Sequence, residues 1–452
     1  MSELGEPDRL LRGHVDRAQE RRYVHIPFDV PRGVRQLHVA YEYNDRIPAD
    51  PLVTGGNTLD IGVFDEGGID EGSPGFRGWS GSEKLEFTID EQWATPPYAP
   101  GPIGAGTWHV LVGPYKVAPR GCDWAVRLWF DPGITEPSPL PPSARSNSVA
   151  SVPRARGGWI RGDLHCHTVY SDGDSLPRDV LVAAGAAGLE FLGVTDHNSV
   201  RHQLAYGTGG DGLPIVLPGI EVTTYGGHWN AWGTDRWWEF RAPDASAVAR
   251  TMRAAAEAGA VISVNHPKPF GPAWDYGDIT GFHAVEIWNG PWPRLNTVAL
   301  AFWEERLRRG ERIAAVGGSD THQLKTPDPD ARHSPRLGAP TTWVEAGPRP
   351  TVAAILAAIR EGRAFVSASP RGPQLYLDPD GAGRACVEAR GATGCALLLI
   401  SEAGVVDAST IDADAASRFI AIPAGTHYVR AQLVDRTGDV RALTNALWAE
   451  RL

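Results

Sequence analysis

The stretch Gly162-Asp163-Leu164-His165-Cys166-His167-Thr168-Val169-Tyr170-Ser171-Asp172-Gly173 decides how this chain is read. Two histidines stand one residue apart, and an aspartate follows. Side chains alternate along a strand, so a His-x-His pair at a strand end turns both imidazoles to one side. Downstream the same residue types recur: Asp196-His197, Glu221 with His228 close behind, His266-Pro267, and Asp320 with His322. Imidazole and carboxylate donors mixed in this way suit Zn, Mn or Fe.

Working outward, the segment around these clusters alternates strand-like and helix-like runs. Strands are expected at 160–164, 191–195, 215–222, 261–265, 284–288, 313–316, 341–344 and 364–367. Helices are expected at 179–188, 245–259, 295–309 and 352–360. Most ligand candidates then fall at C-terminal strand ends, where (β/α) barrels keep their chemistry. Residues 1–130 read differently. Leu37, Val39 and Tyr41 alternate, as do Leu59, Ile61 and Val63, and Trp108, Val110 and Val112, with Gly- and Pro-rich turns between. That pattern predicts a β-sandwich or jelly roll. Residues 131–158 are rich in Pro and Ser and read as a connector. Residues 371–452 lose the alternation and predict a small all-β domain, leaving 159–370 as the barrel.

The bulk numbers narrow the classes. At 452 residues, two or three domains are expected. A formal net charge of −11 argues against broad nucleic-acid binding. Among the four cysteines no CxxC occurs, which fits a reducing, cytoplasmic compartment. Neither a signal-type apolar stretch nor a membrane span is expected. Of the 16 tryptophans, Trp229, Trp232, Trp274, Trp288 and Trp292 lie near the metal clusters, so core and pocket wall are both open for them.

Taken together, the clusters resemble the PHP (polymerase and histidinol phosphatase) superfamily in type and order over residues 161–369. The leading β-segment and the phrasing around Asn265 and Asn289 are similar to its CehA/McbA branch. The resemblance implies an α/β fold: a distorted (β/α) TIM-like barrel between the two β-domains. It implies two or three divalent metal ions. A first would be held by His165, His167, Glu221 and Asp320, a second by Glu221, His228 and His266, and a third by Asp172, His197 and His322. Glu221, His266 and Asp320 are the implied catalytic residues. The implied reaction is hydrolysis of a phosphomonoester or phosphodiester, either a small phosphorylated molecule or an oligonucleotide end. Ions of this kind lower the pKa of a bridging water and clamp phosphoryl oxygens. An ester or carbamate hydrolase using the same centre is the alternative, and a non-catalytic metal-stabilised scaffold is the other.

Around that centre, substrate contacts are expected from Lys268, Arg332 and Arg336, against the bland reading of solvated loop cations. Asp163 and Asp196 are weighed as orienters of the neighbouring histidines against strand-end hydrogen bonding. Glu286 and Asn289 are candidates for pocket contact, and His283 reads as structural. The flanking β-domains carry no ligand cluster. Pocket shaping, packing on the barrel and a homo-oligomer contact all stay open for them.

Overall fold

The computed structural model describes residues 4–137, 152–206, 212–269, 273–325 and 335–451. The first 130 residues build two four-stranded antiparallel sheets. One runs in the order Arg9–Val15, Cys122–Phe130, Gln36–Tyr43, Glu86–Asp90. The other runs Val24–Val30, Gly106–Lys116, Thr58–Phe64, Phe76–Gly81. Their alternating apolar residues meet in one core that includes Leu37, Val39, Leu59, Ile61, Trp108, Val126 and Leu128.

The segment that follows is mixed α/β, and the molecule as a whole is mostly β. Among its described residues lie four α-helices: Pro177–Ala187, Ala245–Glu257, Asn296–Arg308 and Val352–Arg360. Their starts follow local chemistry. Asp244 and Thr351 each accept a hydrogen bond from the backbone of the first turn, and Pro177 occupies the first turn of its helix. Gly188, at φ 87°, ends the first helix in a left-handed cap.

Two sheets carry the metal-ligand candidates. A five-stranded sheet runs Gly219–Thr224, Gly227–Trp232, Val261–Val264, Ala284–Asn289, Ala314–Gly318. A ten-stranded sheet begins Ile215–Leu217, Phe191–Val194, Trp159–Cys166, Thr341–Glu345, Ala364–Ser367. It continues without a break into Val440–Thr444, Tyr428–Val434, Ala396–Ser401 and Gly404–Thr410. The tenth strand, Leu447–Trp448, pairs with Tyr428–Val434, so these C-terminal strands are hydrogen-bonded into the same sheet as the His-x-His strand, while Gln374–Pro379, Arg384–Arg390 and Ala415–Ala421 form a separate three-stranded sheet.

The expected distorted (β/α) TIM-like barrel is not seen as such: among the described residues no sheet closes on itself. Antiparallel pairs interrupt the parallel order that such closure needs. Gly219–Thr224 and Gly227–Trp232 form a hairpin, and Thr341–Glu345 runs antiparallel to Trp159–Cys166. Two isolated bridges, Cys166 with Thr321 and His197 with Glu221, join the two sheets. Both bridges fall at the ligand clusters. The single strand expected at 215–222 is also split. Pro218 has no N–H to donate, and the chain leaves one sheet there to enter the other.

A large apolar cluster ties the parts together. It holds Trp229, Phe240, Val264, Ile287 and Trp303 of the middle segment. It also takes in Phe64, Trp79 and Leu111 from the N-terminal sheets and Tyr428, Val440 and Leu443 from the C-terminal strands. Among the described residues no helix is long and apolar enough to cross a membrane.

Candidate metal centre

Strand Trp159–Cys166 delivers His165 and, just past its end, His167. Phe191–Val194 leads to His197, Val261–Val264 to His266, and Ala314–Gly318 to Asp320 and His322. Glu221 and His228 sit on facing strands of the hairpin, where Thr223 pairs with His228 across the Tyr225-Gly226 turn. This turn settles the direction of His228, which the preceding glycine pair leaves open in sequence. All nine side chains converge. They form four overlapping groups able to hold a cation: His167, Asp172, His197 and His322; His165, Glu221 and His266; His165, His167 and Asp320; and His197, Glu221 and His228.

Glu221 is fully buried at the centre. Its Oε2 has His165 Nε2 at 3.3 Å, His167 Nε2 at 3.4 Å and His197 Nδ1 at 2.9 Å. Yet Oε2 accepts no hydrogen bond, and His165 Nε2 makes none. Buried polar atoms are rarely left without a partner. Lone pairs crowded together without hydrogen-bond geometry fit a shared cation, so the donor set suits a metal ion. Glu221 Oε1 faces His228 Nδ1 at 3.2 Å and His266 Nε2 at 3.3 Å, and it accepts from Asn265 Nδ2 at 2.8 Å. Asp320 Oδ1 lies 3.3 Å from His165 Nε2 and 3.1 Å from His167 Nε2. Asp172 Oδ1 stands 3.3 Å from His322 and 3.6 Å from His197, and Asp172 is the exposed member of the set.

The charges are strongly coupled. Although burial opposes ionisation of Glu221, the facing His165 and His197 hold its carboxyl well below the usual range. Burial likewise opposes charge on His322, but the Asp172 carboxylate beside it lifts its pKa to about 10. His167 goes the other way, lowered to about 4 by burial and by His322 and His197. Protons and a cation would compete for these nitrogens and carboxylates.

Backbone strain marks two of the candidates. His266 has φ 28° and Asp320 has φ 55°. Side chains other than glycine seldom occupy that region, and such residues gather at functional sites.

A supporting set holds the imidazoles. Glu286 accepts from His165 Nδ1 at 2.9 Å, from the His266 backbone N–H at 3.0 Å and from Asn289 Nδ2 at 3.1 Å. Asn289 also donates to Asp320 Oδ2 at 3.2 Å. Glu286 and Asn289 thus act on the ligands themselves, a role the sequence reading did not give them. A carboxylate inside the otherwise apolar strand Ala284–Asn289 was the available signal. Asp163 instead accepts backbone N–H groups of His165, Ser319 and Gly338. Asp196 reaches His167 only through Ser171, whose hydroxyl lies 3.3 Å from His167 Nδ1 and donates to Asp196 at 2.6 Å. His202, past the second cluster, is buried against Asp196 at 3.0 Å. His283 Nδ1 accepts from the Ile262 backbone and is structural.

The expected substrate cations are placed differently. Lys268 is buried, and its ammonium donates to Asn289 O at 3.0 Å and Asn296 Oδ1 at 2.9 Å. Burial brings its pKa down to about 8. Lys268 pins a loop and does not line the cleft. Arg336 is exposed and also outside the cleft-lining residues, and Arg332 lies outside the described residues. Among the described residues, Arg294 lines the cleft over the cluster with Asn289 and Asp320. Trp229, Trp232, Trp288 and Trp292 are core, and Trp274 packs half-buried on it.

The cleft has a second wall from the N-terminal segment, where pocket shaping was one of the open roles but no residue was singled out. Residues 50–52 of the N-terminal segment line the opening over Glu221, His228 and His266. Asp60, Trp79 and Tyr115 line a contiguous hollow against Asp172, His197 and His228. Asp60 is almost wholly buried and takes a 2.8 Å hydrogen bond from Tyr225 Oη. Desolvation pushes its pKa up to about 7, and Tyr225 and the nearby His197 only partly offset that. No local pattern announces this wall, because it arises from contacts between distant segments.

No known protein family matches the chain, and no curated protein does. Among solved structures, a two-domain protein from Bacteroides vulgatus containing a predicted PHP-like metal-dependent phosphoesterase is similar at 16% identity and a TM-score of 0.39. The match covers 68% of this chain and 100% of that one. An amidohydrolase from Chromobacterium violaceum with bound sulfate and no metal matches at 16% identity and a TM-score of 0.25, over 38% of this chain and 89% of that one.

Proposed function

We propose that this chain is a metal-dependent phosphoesterase whose two sheets form a distorted, seam-joined version of a PHP-type barrel. The observation that carries the reading is the crowding of three imidazole nitrogens around an unbonded, fully buried Glu221 oxygen. Two or three divalent ions are proposed. His165, His167, Glu221 and Asp320 would hold the first, Glu221, His228 and His266 the second, and Asp172, His197 and His322 the third. When bound, such ions supply an activated water and Lewis-acid stabilisation of phosphoryl charge.

The chain's own residues do the remaining work. Glu221 presents one oxygen to each side of the cluster, so a single carboxylate serves two sets of histidines. Glu286 fixes the tilt of His165 and the backbone at His266 together. Ser171 and Asp196 hold His167, and the Asp320 carbonyl, 2.9 Å from His322 Nδ1, accepts its ring N–H. Arg294, which lines the cleft, would meet a phosphate oxygen. Buried ligands on strand ends keep this geometry pre-set before substrate arrives.

One observation favours a second reading. The hollow beside the cluster is walled by Trp79, Tyr115 and Tyr225, and Lys268 is locked away from it. An ester or carbamate with an aromatic leaving group would suit such walls. Matched p-nitrophenyl phosphate and p-nitrophenyl acetate separate the two readings. The phosphoesterase reading expects chelation to abolish turnover, Mn or Zn to restore it, faster cleavage of the phosphate, and competitive inhibition by inorganic phosphate. Faster cleavage of the acetate with no inhibition by phosphate would favour the second reading. Full activity in chelated protein would overturn both.

A further inference from the structure

We propose that Lys84, from the N-terminal segment, is a positioning residue for the metal centre: it fixes the backbone at Ser171 and so aims the Asp172 carboxylate at His197 and His322. The inference rests on the metal-centre reading. It adds a part of the site supplied from outside the segment that carries the ligands.

The first observation is how Asp172 is held. Glu221 accepts from the Asn265 side chain, and Asp320 accepts from the Asn289 side chain. Among the described residues no such amide holds the Asp172 carboxylate, which stands 3.3 Å from His322 and 3.6 Å from His197. Asp172 also lies in a loop, beyond the end of strand Trp159–Cys166. Its aim is therefore set by its backbone.

The second is the contact itself. Lys84 Nζ donates to Ser171 O at 2.9 Å, across 87 positions of sequence. A peptide unit is planar, so holding the Ser171 carbonyl also holds the N and Cα of Asp172. The rest of the loop is tied to the middle segment. The Ser171 and Gly173 N–H groups both reach Thr168 O, and the Ser171 hydroxyl donates to Asp196. Gly173 lets the loop fold that tightly, since a Cβ there would stand 2.7 Å from Thr168 N. Lys84 adds the tie from the N-terminal segment.

The third is the base on which Lys84 stands. It lies in the connection between Phe76–Gly81 and Glu86–Asp90, which belong to different sheets. The Glu83 N–H bonds to Ser80 O, and Leu85 O accepts from the Tyr41 N–H, so both neighbours of Lys84 are fixed. Lys84 itself is half-buried. Burial pulls its pKa down, while the carboxylates of Glu83, Asp172 and Asp196 pull the other way. Taking an ammonium partly out of water to meet one main-chain carbonyl is costly for a residue with no role there.

The sign of the effect separates this role from a bystander's. An ammonium beside a cation site repels the incoming ion, so removing a bystander lysine should tighten metal binding. Removing a positioning lysine should weaken it.

The test uses the full chain, stripped with chelator and titrated with Mn alone. Free Mn is read by its paramagnetic resonance signal, and folding by thermal melting. In Asp172→Asn one ion should be lost. In Lys84→Met the same ion should bind about tenfold more weakly, with the remaining ions held as in the wild type. Lys84→Arg, which keeps a donor of similar reach, should restore most of the loss. The double variant Lys84→Met, Asp172→Asn should be no worse than Asp172→Asn alone, because Lys84 acts through Asp172. If Lys84→Met does not melt cooperatively, Lys84→Gln, one atom shorter, takes its place with the same expectation. Unchanged or tighter Mn binding without Lys84, equal weakening of every ion, an additive loss in the double variant, or a full complement of ions in Asp172→Asn would overturn the proposal. Hydrolysis measured on the same samples keeps the two claims apart. Loss of one ion in Lys84→Met from a chain that cleaves no phosphoester would leave the positioning role standing and remove the phosphoesterase reading. A wild type that cleaves a phosphoester, with Lys84→Met holding every ion as tightly, would do the reverse.

Discussion

At the scale of the residue, the site depends on carboxylates that never need to touch substrate. Glu286 bonds His165 through one oxygen, and the His266 backbone and Asn289 through the other. Removing its charge while keeping its shape should loosen two ligand positions at once. Glu286→Gln is expected to weaken metal affinity by about 10–100-fold with the fold retained, as read by competition with a chromophoric chelator. Asp60 gives a second residue-level expectation. Its pKa is raised from the usual aspartate range to about 7. The folded state therefore binds this proton more tightly than the unfolded one. That adds stability at low pH, and it is lost as pH climbs from about 4 through about 7. The full loss is on the order of 4 kcal/mol at most. Asp60→Asn should thus be more stable than the wild type at pH 8, and the gap should close toward pH 4. Urea unfolding of chelator-treated protein, which keeps the field of bound cations out of the comparison, reads this directly. A gap independent of pH would contradict it.

At the scale of the element, the hairpin that carries Glu221 and His228 is the least forgiving piece. Gly227 has φ 141°, and a Cβ on it would lie 2.7 Å from Trp274 Cε3. Gly227→Ala should cost about 1–3 kcal/mol and shift His228, lowering both the melting temperature and the number of ions held. A variant with wild-type melting and metal content would count against the role given to this turn. The same region shows what could be read in advance. Strand ends and helices were legible because apolar periodicity and caps are local. The antiparallel hairpin was not, since the run from Ile215 to Val222 looks continuous until Pro218 is weighed as a missing donor. The Tyr225-Gly226 turn also carries no strong hairpin signature, and its strand Gly227–Trp232 is buried on both faces, which hides the alternation.

At the scale of the whole molecule, the convergence of nine ligand-type residues was legible because most stand at or just past a strand end or on the hairpin, in motifs with recognisable order. The cleft itself was not. Its second wall comes from Asp60, Trp79 and Tyr115, more than a hundred residues away from Glu221 in sequence, and no local pattern encodes which face of a β-segment will meet another domain. Nor could sequence show that the two sheets would be joined by isolated bridges at the cluster, where a distorted TIM-like barrel was expected. Residues of all three segments meet in one apolar cluster, and the candidate ligands gather where the two sheets of the middle segment meet, under a wall from the N-terminal segment. The ligand cluster is expected to hold ions through Glu221. Elemental analysis of purified protein reloaded with Mn or Zn tests it most directly. Two or three ions per wild-type chain are expected, with at least one fewer in Glu221→Gln protein that melts cooperatively. Less than one ion per wild-type chain, or a count unchanged by the substitution, would contradict it.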